Sequence, residues 1–114
     1  MVSKISQDAA EAFLAGIEFK RGDTAVKLFG STVFLILNGS AIAERVIGRD
    51  YFDVLLLSYS RTTLSRLNAL PGVQLSRRRG YLYRNGAWVS PLEKYIRVAY
   101  HYIDFEQLEQ VLEA

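Results

Sequence analysis

The chain reads as an α+β protein built mostly of antiparallel sheet, with short helices at the N-terminus, in the middle and at the C-terminus. Three observations predict this. The hydrophobic period is three to four at both ends and two through the middle. Asn-Gly occurs twice, at Asn38-Gly39 and Asn85-Gly86, and this dipeptide is the strongest short hairpin signal because both residues tolerate positive φ. The apolar runs between turn residues are strand-length, and the longest, Val33 to Leu37, is far too short to cross a bilayer.

Taken in order, residues Gln7 to Ile17 form a helix, with Ala9, Ala10, Phe13, Leu14 and Ile17 at helical spacing, Ser6 as N-cap and Gly16 weakening the end. Phe19 to Asp23 is a basic turn carrying Lys20 and Arg21. Four strands follow as a meander: Thr24 to Phe29, Thr32 to Leu37, Ser40 to Ile47 and Tyr51 to Ser58. The second is apolar on both faces and so central. Ser60 to Gly72 contains a short helix capped by Thr62 or Thr63. Its stripe is Leu64, Leu67 and Leu70, with Arg61 and Arg66 outside it and Pro71-Gly72 as its stop. Val73 to Arg77 and Tyr81 to Arg84 make a basic hairpin, its turn centred on Arg78, Arg79 and Gly80, and Asn85-Gly86 bends the chain into Ala87 to Val89. Lys94 to Ile103 is ambiguous: Leu92, Ile96, Ala99 and Ile103 would equally stripe a helix, but its aromatic and β-branched content favours a strand. Asp104 caps a final helix with an apolar face of Phe105, Leu108, Val111 and Leu112, and Gln107 at the capping-box position.

The 114 residues suit a single domain spanning the whole chain, and a chain of this length buries enough surface to fold without staples. There is no cysteine, so disulfides, thiolate catalysis and cysteine-based zinc sites are excluded. His101 is the only histidine, and no partner to orient it is identifiable. No phosphate loop, dinucleotide fingerprint or set of metal ligands at the required spacing is present. These absences predict a non-enzyme with no cofactor and no metal. The N-terminus lacks the apolar segment of a signal peptide, and a soluble intracellular protein is expected.

The charge is asymmetric. Asp104 to Ala114 holds four acids and no base, leaving 14 basic against eight acidic residues on the rest. Between Asp53 and Glu93 there is no acid, but there are six arginines: Arg61, Arg66, Arg77, Arg78, Arg79 and Arg84. Arginine forks onto phosphate and stacks on planar rings better than lysine does. Within the same interval stand Tyr81, Tyr83 and Trp88. A cationic groove with exposed rings is what a protein needs to hold a single nucleic-acid strand, whereas a solvated surface normally mixes signs. The residues expected to meet phosphate are Lys20, Arg21, Arg61, Arg66, Arg77, Arg78, Arg79 and Arg84, and those expected to stack bases are Tyr81, Tyr83 and Trp88. The competing reading is structural: tyrosines at period two can fill a sheet face, and a tryptophan can be core. The acidic C-terminal helix would dock its apolar face on the sheet, serve as a handle for a partner or second copy, or do both.

Four segments, FLAGIEFKRGDTAVKL, STVFLILNGSAIAER, TTLSRLNALPGV and GYLYRNGAWV, resemble a group of small proteins encoded by tailed bacteriophages. The resemblance covers Phe13 to Val89, and its most specific part is Thr62-Thr63-Leu64-Ser65-Arg66-Leu67-Asn68 closed by Pro71-Gly72-Val73. One branch that the chain looks like is a phage single-stranded-DNA-binding cofactor of the phage's own RNA polymerase. The resemblance implies binding of single-stranded DNA with little sequence specificity, service to a phage RNA polymerase, and residence in the host cytoplasm. Leu64 stands where that pattern has arginine, and residues after Val89 carry no match. The alternative is a phage module for host takeover or assembly that binds only protein, its basic patch meeting an acidic surface.

Overall fold

A computed structural model of the chain describes residues 3–56 and 60–100. Helix α1 is Lys4–Ala15 and helix α2 is Arg61–Leu67. Strands β1 (Phe19–Arg21), β2 (Thr24–Phe29), β3 (Thr32–Leu37), β4 (Ser40–Val46), β5 (Tyr51–Leu55) and β9 (Tyr95–Ala99) form one antiparallel sheet in the order β1-β2-β3-β4-β5-β9. Strands β6 (Leu75–Arg78), β7 (Tyr81–Arg84) and β8 (Ala87–Trp88) form a second, three-stranded antiparallel sheet. The α+β class and the antiparallel meander are as the sequence predicts. The C-terminal helix, with Phe105, Leu108, Val111 and Leu112, lies outside the described residues, as do His101 and the end of the strand predicted over 94–103.

The meander is larger than four strands. The expected basic turn at Phe19 to Asp23 is in fact an edge strand, with Phe19–Arg21 paired to Thr24–Val26 around a tight turn in which Gly22 takes φ +57°. Strand β9 pairs with β5 along its whole length, from Tyr51↔Ala99 to Leu55↔Tyr95. Strand β4 carries a bulge. Leu35 pairs with Ala43 and Ile36 with Ala41, so Ile42 is an extra residue. The bulge lets Ile42 and Ala43, adjacent in sequence, both bury.

Both helices start earlier than the sequence suggests. Ser3, not Ser6, caps α1 by accepting from the Ser6 backbone N–H, and Gly16 ends it in the left-handed conformation, which leaves Ile17 outside the helix and exposed. Ser60, not Thr62 or Thr63, caps α2 and accepts from the Thr63 N–H at 3.1 Å. The α2 helix stops at Leu67, so its buried face is Thr63, Arg66 and Leu67, and Leu70 is buried from the following turn.

The helices cover one face of the large sheet. A single apolar cluster joins Ala9 and Phe13 of α1, Val26, Leu35 and Phe52 of the large sheet, Leu67 and Leu70 around α2, and Leu75 and Leu82 of the small sheet. Phe13 meets Phe52 edge-on at 5.9 Å. Arg45, on the inward row of β4 and buried, donates from Nε to the Phe13 carbonyl at 2.8 Å and from Nη2 to the Leu14 carbonyl at 2.6 Å. It thereby caps carbonyls of the last turn, at the negative end of α1, adding to the Gly16 N–H that the Phe13 carbonyl already accepts. Among the described residues, no helix is long and apolar enough to cross a membrane.

Candidate nucleic-acid interface

The basic hairpin is positioned from α2. Asn68, its C-cap residue, accepts from the Leu75 N–H at 2.7 Å and donates to the Leu75 carbonyl at 2.8 Å, which fixes the start of β6. Gly72, at φ +75°, comes so close to β9 that a Cβ there would meet Val98 Cγ1 at 3.2 Å. The segment Thr62 to Val73 is thus a frame that holds the small sheet against the large one.

Register then sorts the hairpin into two faces. Ser76 pairs with Tyr83, Arg78 with Tyr81, and Tyr83 with Trp88. Directly paired residues of an antiparallel ladder share a face, so Arg78, Tyr81, Tyr83 and Trp88 stand together on one side. The other side carries Leu75 and Leu82, both buried in the core, together with Arg77 and Arg84. The burial of those two leucines turns the aromatic side outward. Tyr81 is 55% and Trp88 56% exposed, and the Arg78 guanidinium lies over the Tyr83 ring at 5.7 Å. The rings do not fill the core. An arginine on a tyrosine face, flanked by further exposed rings with no acid in the same sheet, is an arrangement able to stack bases and neutralise phosphates.

The tip of the hairpin is a two-residue turn in which Arg79 has φ +54° and Gly80 φ +84°. The same turn shape occurs at Asn38-Gly39 (φ +52° and +81°) and at Asn85-Gly86 (φ +51° and +81°). Asparagine adopts this conformation readily and arginine does not. Arginine at the tip therefore carries a conformational cost that its two counterparts avoid, a pattern associated with functional positions. Arg79→Asn should raise the melting temperature, in line with about 0.5–1 kcal/mol of relieved strain, while weakening nucleic-acid binding. Thermal unfolding and a binding titration on the same sample check both signs.

The remaining sequence-predicted residues disperse. Arg61 is exposed at the start of α2, and Arg77 is exposed beside the hairpin tip. Lys20 and Arg21 lie on β1, at the opposite edge of the large sheet from β9. Five strand spacings separate those edges, about 24 Å at roughly 4.8 Å each. Arg21 is bound to Asp8 at 2.7 Å and lies over Phe19 at 5.2 Å, and its hydrogen bond, with that of Lys4, holds the Asp8 carboxyl below the usual carboxylate range. Arg66 is not a surface residue. It is 8% exposed, donates from Nε to Thr24 Oγ1 at 2.8 Å and from Nη1 to Ser6 Oγ at 2.9 Å, and brings Nη2 within 3.6 Å of Asp23. It ties α2 to α1 and β2.

A second group of rings and guanidiniums, which sequence reading missed, lies on β5 and β9. Arg97 stands over Tyr51 at 4.1 Å and Tyr95 at 5.7 Å, and is held by two hydrogen bonds to Asp53 at 2.9 and 3.2 Å. Alternation of Tyr95 and Arg97 was the available signal, but their pairing with Tyr51 and Asp53 is a matter of register.

Residues 2–110 match the family described as Kyanoviridae Gp96 protein. The chain belongs to that family. It is accordingly a tailed-phage protein, and the resemblance drawn from its hairpin and helix motifs points to the same kind of source. No curated protein gives a significant match to this Gp96-family chain, and no solved structure does.

Proposed function

We propose that this Gp96-family protein binds single-stranded DNA through the outward face of its small sheet, with Tyr81, Tyr83 and Trp88 stacking bases and Arg78 and Arg79 meeting phosphates, while Arg77 and Arg84, on the other side of the ladder, meet phosphates that pass around its edge. One observation carries the reading: the exposed ring face is organised by register, with Arg78 over Tyr83 and the leucines turned inward. A face of rings and arginines is sequence-tolerant, because every base has a π-face, and little sequence specificity is expected. Its place in phage transcription, as a cofactor of the phage RNA polymerase, rests on the sequence resemblance.

The test is a gel shift with matched single-stranded DNA, single-stranded RNA and duplex over a range of salt. Binding should favour the single strand. If three or four phosphates are neutralised, log K should fall against log salt with a slope of about −2 to −3, at roughly −0.7 per phosphate. A slope near zero would remove the arginine–phosphate mechanism.

A protein-only module is favoured by a different observation. On the outer face of the large sheet, Phe29 is 64% exposed among the described residues and in edge contact with Phe34 at 5.8 Å. That reading predicts no shift on any nucleic acid, and loss of a protein partner on Phe29→Ser.

A further inference from the structure

Between the small sheet and β9 runs an open groove of about 580 Å³, lined by Arg84, Trp88, Glu93, Tyr95 and Arg97 among others. That volume is in the range of small-molecule clefts, roughly 300–1,000 Å³. Trp88 belongs at once to the hairpin face and to this groove. Tyr95 contributes to the lining from β9, and it is 50% exposed. Its ring is steadied by Arg97, which Asp53 holds in place. The groove therefore continues the line of rings formed by exposed Tyr81, half-buried Tyr83 and exposed Trp88 onto the large sheet.

Resting on the single-strand reading above, we infer that this groove is a base-binding subsite, in which one nucleobase lies against Trp88 and Tyr95 with its amino edge turned to Glu93. Three features of the lining lead there. Rings from two different sheets offer stacking surface for a base. Arg84 contributes a cation with no ion pair among the described residues, so a phosphate is accommodated beside the small sheet. Glu93 is exposed and the first acid in the chain after Asp53. A carboxylate repels phosphate but accepts a hydrogen bond from an exocyclic amine, such as cytosine N4. Thymine offers no amine. The groove thus gives an otherwise sequence-tolerant protein a preference for amino-bearing bases at one position.

The experiment compares binding of fluorescent oligo-dC and oligo-dT of equal length to the full chain and to the variants Tyr95→Ala, Tyr95→Phe and Glu93→Gln, with thermal melts to confirm folding. Wild type should prefer oligo-dC. Tyr95→Ala should lose about tenfold in affinity, in the range of one stacked base, and Tyr95→Phe should retain it. Glu93→Gln should bring the two oligomers together, because an amide both donates and accepts. Wild-type affinity in Tyr95→Ala, or a dC-to-dT ratio that Glu93→Gln leaves unchanged, overturns the subsite while the hairpin reading stands. Absence of binding to either oligomer by the wild type removes the hairpin reading and the subsite together.

Discussion

Replacing Tyr83 and Trp88 by alanine should abolish most of the affinity for single-stranded DNA while leaving the protein folded. Base–ring stacking contributes about 1–3 kcal/mol per base by alanine substitution, so losing both rings weakens binding by roughly 30-fold or more. The fold should tolerate the change because Trp88 is 56% exposed and the inward side of the hairpin is carried by Leu75 and Leu82. The salt slope should be nearly unchanged, since no cation is removed. This separates the rings from the arginines: changing Arg77, Arg78 and Arg79 together should flatten the slope, whereas changing the rings should shift the whole line. Equal affinity for the double variant and wild type would return the rings to mere surface.

The second large effect concerns stability. Arg66→Met should lower the melting temperature by roughly 10–20 °C. Hydrogen bonds to a charged group contribute about 1.5–3 kcal/mol each, and Arg66 makes such bonds to Thr24 and Ser6 in a buried setting. The two hydroxyls keep other partners, Asp23 for Thr24 and Ser3 and Ser65 for Ser6, which holds the loss to about 2–4 kcal/mol. At about 5 °C per kcal/mol for a domain of around 100 residues, that is a readily measured shift. Below the transition, binding to single-stranded DNA should match wild type. An unchanged melt with weakened binding would place Arg66 among the phosphate contacts instead.

Arg66 also shows where sequence reading stops. With Leu64, Leu67 and Leu70 taken as one helical stripe, Arg66 falls outside it. The helix ends at Leu67, Leu70 buries from a turn, and the inward side becomes Thr63, Arg66 and Leu67. The partners of Arg66 stand 60 and 42 residues away, and no local pattern pairs them. Arg45 is a comparable case: the alternation of β4 puts a charge on the inward row, but only the arrival of the α1 carbonyls explains it. The bulge at Ile42 is equally silent in the sequence, because it depends on which residues of β3 lie opposite.

Local chemistry was legible. Asn38-Gly39 and Asn85-Gly86 are hairpin turns because their conformation is set by those residues themselves. The separation of Tyr81 and Tyr83 from Leu82 follows from period two. Which of those sides faces water depends on the docking of the small sheet, through Asn68 and Gly72, and so required the fold. Charge alone groups Lys20 and Arg21 with the hairpin, and the strand order separates them from it.

Trp88 is the chain's single tryptophan, so its emission reports directly on the proposed stacking face. The decisive measurement is a titration of the full-length protein with single-stranded DNA, followed by tryptophan fluorescence at several salt concentrations and repeated with duplex. Saturable quenching by the single strand is expected, with a midpoint that moves to higher DNA concentration as salt rises, and with a much weaker response to duplex. Emission that stays constant while a gel shift shows the DNA bound would contradict the stacking role of Trp88, and with it the assignment of the hairpin face as the binding surface.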